Sequence, residues 1–228
     1  MSTLTPKLKA FLKGLPIPVV RTWIRSYFAW RRRATERIKY ERWKTSGRPV
    51  PPPPLLKQET VRSAARSRGV NVLVETGTFE GEMVESVAGD FESIYTIELD
   101  PVLGDLAIKR FKGRSHIHVL KGNSGELLPF VLKSLKRPAV FWLDAHFSGG
   151  ATARGTEITP VMTELAAIGA QGSHPDHVIL IDDAREFSGA AYPSLARLRH
   201  WAKVNGYDTL EVIDDIIRIY NAKPHRRA

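Results

Sequence analysis

Glu75, Gly77 and Gly81, followed by Glu98 and Asp100, are residue types at a spacing that could hold a nucleoside. Val72-Leu-Val-Glu-Thr-Gly-Thr-Phe-Glu-Gly81 reads as a buried strand entering a glycine-bent loop that opens a helix. Ile94-Tyr-Thr-Ile-Glu98 reads as a second strand that ends in a carboxylate. Glycines let the backbone pass close to a ligand where a Cβ would collide. An acid about twenty residues beyond such a loop sits where α/β nucleotide folds grip the two hydroxyls of a ribose. The loop is Glu-x-Gly-x-x-x-Gly, not Gly-x-Gly-x-x-Gly. A pyrophosphate needs backbone N–H groups brought very near, whereas a methionine-bearing nucleoside carries no phosphate and tolerates an acid beside its ammonium. The pattern therefore favours S-adenosylmethionine over a dinucleotide. Glu75, Gly77, Thr78 and Gly81 would shape the methionine end, and Glu98 would hold the ribose.

Further candidates follow three other apolar runs. Lys121-Gly-Asn123-Ser124 offers polar groups that could meet an adenine edge or could cap the helix that follows. Asp144 comes after Pro138-Ala-Val-Phe-Trp-Leu, and Asp182-Asp183 after His177-Val-Ile-Leu-Ile. Three carboxylates carried to one sheet edge repel one another and raise each other's pKa unless a cation lies between them. A hard divalent ion with oxygen ligands would answer this. The alternative is that Asp183 caps a helix and Asp144 binds His146 or Arg185. His146 could take a proton from an acceptor hydroxyl, or be a satisfied structural histidine. Residues 147–157 are polar and glycine-rich, which suits a substrate loop. Its Arg154, and Arg185 beyond the Asp pair, could clamp an anionic group on the acceptor. Equally, both could pair with Glu157, Glu164 or Glu186.

Elements able to position these residues alternate along the chain. Helices are expected over Lys57–Ser67, Glu80–Ala88, Pro101–Phe111, Glu126–Leu135, Thr159–Ile168 and Ser194–Asn205. Strands are expected over Asn71–Glu75, Ser93–Leu99, His116–Leu120, Pro138–Asp144 and His177–Asp182. Thr209–Ile213 and Ile216–Tyr220 form a closing hairpin around Asp214-Asp215. Such alternation gives an α/β fold, a mostly parallel sheet with helices on both faces and a terminal antiparallel hairpin.

The basic charge lies outside that region. The chain of 228 residues carries a formal net charge of +10, yet residues 1–50 hold 13 Lys and Arg against two Glu. The remaining 178 residues hold 21 basic and 22 acidic groups, so the high pI does not make the whole chain a nucleic-acid binder, and such a partner is disfavoured. Without cysteine, disulfides, thiolate metal sites and cysteine nucleophiles are excluded. No apolar run reaches the roughly 18 residues that span a bilayer, which suggests a cytoplasmic or membrane-peripheral protein. Residues 1–50 form a basic N-terminal arm in which Val20, Trp23, Ile24, Tyr27 and Trp30 recur at helical spacing. That helix would lie on a membrane surface, pack on its own domain or a partner subunit of a homo-oligomer, or meet another anionic surface. An organellar transit peptide is a minor alternative. A proline-rich linker at 51–56 separates the arm from a domain at 57–222, and 223–228 is a basic tail.

Taken together these residues resemble class I S-adenosylmethionine-dependent methyltransferases over about Pro52 to Tyr220. Leu73-Val-Glu-Thr-Gly-Thr, Tyr95-Thr-Ile-Glu-Leu-Asp, Gly122-Asn-Ser-Gly-Glu, Phe141-Trp-Leu-Asp-Ala-His and Ile179-Leu-Ile-Asp-Asp-Ala carry the resemblance. It implies a Rossmann-like sheet, and within the family the chain is distantly similar to metal-dependent sugar O-methyltransferases. From these it implies magnesium at Asp144, Asp182 and Asp183, and a small-molecule acceptor that is a sugar, glycan or other polyhydroxylated compound. In those relatives the base is an acid two residues after the first metal ligand; here that position is His146. An NAD-dependent oxidoreductase and a non-catalytic nucleoside-binding module are the alternatives.

Overall fold

Val72–Thr76 forms β1 because five successive residues are buried on both faces, which only a central strand allows. The computed structural model describes residues 27, 31, 34–144, 159–170, 176–189 and 192–222. The chain divides into two units, Met1–Pro49 and Val50–Ala228. In the first, residues 34–45 are helical (α1), and Trp43 is buried with its indole Nε1 donating to the Pro49 carbonyl at 2.7 Å. Apart from Tyr27, the aromatic repeat expected of the arm lies outside the described residues, as do 223–228.

In the second unit the elements run α2 (Pro54–Arg68), β1, α3 (Glu82–Val87), β2 (Ser93–Glu98), α4 (Pro101–Arg110) and β3 (Ile117–Lys121). They continue α5 (Ser124–Ser134), β4 (Val140–Leu143), α6 (Val161–Ala170), β5 (Val178–Ile181), α7 (Leu195–Val204), β6 (Thr209–Ile213) and β7 (Ile216–Tyr220). The seven strands are ordered β3-β2-β1-β4-β5-β7-β6. The first five pair in parallel, while β7 pairs antiparallel with β5 and with β6. Order reverses between β1 and β4, the switch point at which such sheets open a crevice.

α2 begins three residues earlier than the sequence spacing suggests. Pro54 is its first residue, where a fixed φ suits a helix and the missing N–H costs nothing. Gly69 ends it in the left-handed region, at φ 61°. α5 likewise starts at Ser124, because Asn123 caps it.

Strand alternation divides the core. Val74, Ile97, Phe141, Leu143, Ile179 and Ile181 face α5, α6 and α7, burying Leu128, Leu165 and Leu198. The intervening residues, among them Glu75, Thr96, Glu98 and Trp142, face the other way, the side on which α2 packs. Leu165 is fully buried in α6, so Leu165→Ala is expected to destabilise the domain by about 2–5 kcal/mol in urea unfolding.

Candidate functional site

The parallel ladder continues one residue past each strand end, and this aligns the candidate residues. Gly77 N donates to Ile97 O at 2.9 Å, and Gly122 N to Glu98 O at 2.8 Å. Asp144 N donates to Thr76 O at 3.0 Å, and Asp182 N to Leu143 O at 3.1 Å. Glu75, Glu98, Asp144 and Asp182 therefore share the carboxyl edge of β1, β2, β4 and β5.

Glu98 is 7% exposed and held by main-chain donors on both sides. Phe79 N donates to Oε2 at 2.6 Å, and Asp100 N to Oε1 at 2.9 Å. The first bond fixes the loop after β1, where Gly77 (φ 86°), Phe79 (φ 49°) and Gly81 (φ 74°) all take left-handed backbone. At Gly81 a Cβ would lie 2.8 Å from Cζ of the buried Phe111 ring, so packing alone requires glycine there. Asp100 is the N-cap of α4, accepting from Val102 N and Leu103 N.

Glu75 is almost wholly buried and its carboxyl is pushed up to about 8, first by burial, with Asp144 and Glu98 adding like charge. The opposing influence is Thr96, directly across the β1–β2 register, whose Oγ1 donates to Glu75 Oε2 at 2.5 Å. Thr96 Oγ1 also lies 2.5 Å from Thr78 Oγ1, so loop, strand and carboxylate form one buried chain of polar groups. On the far side of β2, Asn123 accepts from Gly125 N at 2.9 Å and caps α5, the bland alternative for that residue. Ser124 is buried.

Asp144, Asp182 and Asp183 come together, with one ligand atom from each within 4.8 Å of the others. Asp182 is 3% exposed and its Oδ1 has no hydrogen-bond partner. Burial, then the charges of Asp144 and Asp183, push its carboxyl up to about 7 despite the Lys57 ammonium beside it. Three hard oxygen donors with a buried acceptor left over fit a divalent ion such as Mg²⁺. Among the described residues, two cations border the cluster. Lys57, in α2, bonds Asp182 Oδ2 and lies 3.9 Å from Asp183 Oδ1. Arg185 Nη1 is 2.9 Å from Asp183 Oδ1 and bonds Asp215 Oδ2.

Asp183 does stand at the N-terminus of a short 3-10 helix, Ala184–Glu186, but in left-handed backbone and without a side-chain cap bond. The guanidinium of Arg185 is committed to carboxylates, with Glu186 at 3.5 Å as a third, so its salt bridges run mainly to residues other than those the spacing suggests. His146 and Arg154, with the loop around them, lie outside the described residues.

Three contributors escape sequence reasoning. Lys57 and Thr96 carry no signal in the linear chain, since each meets its partner only across the folded sheet. Glu164 did carry one: it sits among Val161, Leu165 and Ile168 on the buried stripe of α6. Its carboxyl lines a small cavity with Asp144, Asp182, Thr159, Phe187 and Tyr192. Burial pushes it up to about 7, and Asp144 adds to the shift. A raised carboxyl binds its proton more tightly folded than unfolded, so it costs stability as pH rises from about 4.5 to about 7. Glu164→Gln should therefore gain stability over the parent at pH 8, by up to roughly 3 kcal/mol, and none at pH 4; urea melts at the two pH values measure this.

No helix among the described residues is long and apolar enough to cross a membrane. No protein-family model and no curated protein matches the chain. Solved structures do. A Staphylococcus aureus protein assigned as a caffeoyl-CoA O-methyltransferase aligns with TM-score 0.52 at 15% identity, over 86% of this chain and 98% of that one. The O-methyltransferase TomG of Streptomyces achromogenes, involved in tomaymycin synthesis and solved with S-adenosylmethionine, aligns at 0.50 and 16%, over 73% and 80%. A Bacillus cereus O-methyltransferase solved with S-adenosylhomocysteine aligns at 0.50 and 14%, over 82% and 91%. With its strand order and terminal hairpin, this chain has the Rossmann-like fold of class I methyltransferases.

Proposed function

We propose that this chain transfers the methyl group of S-adenosylmethionine to an oxygen of a small polyhydroxylated acceptor, a sugar or glycan being the class that fits best. Glu98 carries the proposal. It is a buried carboxylate beside the glycine loop, fixed by two main-chain donors, with lone pairs left for the two hydroxyls of a ribose. Glu75, Gly77, Thr78 and Gly81 would frame the methionine moiety, and Ser124, next to the capping Asn123, would border the adenine.

Asp144, Asp182 and Asp183 would hold Mg²⁺, which when bound lowers the pKa of a coordinated acceptor hydroxyl. His146 would receive the hydroxyl proton, and alignment of oxygen, methyl and sulfur would supply much of the acceleration. Arg154 would clamp the acceptor, and Arg185 would offer it the N–H groups left over from Asp183, Asp215 and Glu186. The arm would bring the domain to an anionic membrane surface or to a partner subunit in a homo-oligomer. Within a cell the protein would be cytoplasmic or membrane-peripheral.

The test is calorimetric titration with S-adenosylhomocysteine, with and without Mg²⁺, followed by methyl-labelled S-adenosylmethionine on a panel of sugars and nucleotide sugars. Saturable binding and label transfer to one class are the expected results. No binding under either condition would remove the activity and leave the fold.

A further inference from the structure

Resting on that function, we propose that Lys57 is the resident counter-ion of the Asp144–Asp182–Asp183 cluster, and that a divalent cation binds there by displacing its ammonium. The chain itself already neutralises much of the charge of the three carboxylates. Lys57 reaches in from α2 to bond Asp182 Oδ2, with 21% of its side chain exposed against 1% for Asp182. Asp144 and Asp183 also act electrostatically on the lysine. Arg185 supplies the second cation.

The two cations are held differently. Asp215 on the β6–β7 turn grips Arg185 twice, its Oδ1 accepting from the Arg185 main-chain N–H at 2.8 Å while Oδ2 takes the guanidinium. Among the described residues, every carboxylate paired with Lys57 belongs to the cluster itself. Its single point charge on a flexible stem is the one free to leave. It also serves the cluster incompletely. The ammonium bonds Asp182 Oδ2, while Oδ1 stays buried without a partner. A divalent ion brings twice the charge and takes several oxygens at once, so it competes on charge and on coordination number. Lys57 would keep the metal-free cluster from repelling itself apart and set the divalent concentration at which the ion enters.

The experiment is titration of the full chain with Mn²⁺, followed by electron paramagnetic resonance of the free ion. Parent, Lys57→Met and Lys57→Arg are compared, with S-adenosylhomocysteine titrated alongside as a check on folding. Lys57→Gln serves if the Met variant fails to fold. Arg137→Met, which removes an outlying arginine paired with Glu92, controls for net charge. Removing the ammonium should tighten Mn²⁺ by about tenfold or more, because one unit of positive charge is withdrawn from contact with the ligands. Lys57→Arg and Arg137→Met should not tighten it. Unchanged or weaker Mn²⁺ binding in a folded Lys57→Met or Lys57→Gln protein would overturn the proposal. So would the absence of Mn²⁺ binding in every protein, and retained S-adenosylhomocysteine affinity would then leave the methyltransferase function standing.

Discussion

Glu98→Gln is expected to weaken S-adenosylhomocysteine binding by about a hundredfold or more while the protein stays folded. The carboxylate has four lone-pair directions, and the Phe79 and Asp100 N–H groups use one on each oxygen. The remaining pair would receive the ribose hydroxyls. A glutamine is isosteric but turns one acceptor into a donor, so its NH₂ group must face either Phe79 N or Asp100 N. That conflict, with the loss of two charge-assisted bonds at roughly 1.5–3 kcal/mol each, sets the magnitude. Calorimetry reads the affinity and circular dichroism the fold. Parent-like affinity in the variant would take Glu98 out of the ribose site and remove the main support for the function.

The second large effect is expected at Asp182. Asp182→Asn should lower methyl-transfer turnover by about a hundredfold or more and abolish its stimulation by Mg²⁺, with S-adenosylhomocysteine affinity little changed. Asparagine keeps the shape but removes one of three charges in a cluster whose ligand atoms lie within 4.8 Å of one another. Asp182 follows β5, with two strands between it and Glu98 at the end of β2, on the other side of the switch point, which is why cofactor affinity should be spared. A variant that turns over like the parent would mean that the cluster is structural, balanced by cations such as Lys57 and Arg185.

Much of the sheet could be read directly because its period and its punctuation agree. Val72 to Glu75 is apolar up to an acid, and Glu98 closes its strand at the same height, so strand identity, direction and edge came together. What could not be read are relations that only register or packing creates. Thr96 is one threonine in a strand until the β1–β2 pairing sets it opposite Glu75. Lys57 looks like an ordinary polar position on a helix, because nothing in the linear chain says that α2 will set it against β5. Arg185 shows the same limit: the sequence offers it Glu157, Glu164 or Glu186, while its guanidinium is held by Asp183 and by Asp215 on the hairpin. Glu164 was legible in principle, since an acid on an apolar stripe announces either a mistake in the period or a buried carboxyl.

The partners of the Asp182–Asp183 pair bear on how this domain can be made. Lys57 lies 125 residues before Asp182, and Asp215 lies 30 after the Arg185 that it anchors. A ribosome releases the first of these long before the pair exists and the second well after it. Until residue 215 has left the exit tunnel, β5 has no β7 beside it and Arg185 has no anchor, so a nascent chain can shape the glycine loop early but must finish the acidic end late. Stalled or truncated chains would thus present two adjacent carboxylates with one of their balancing cations unanchored, a state for chaperones and proteases to recognise.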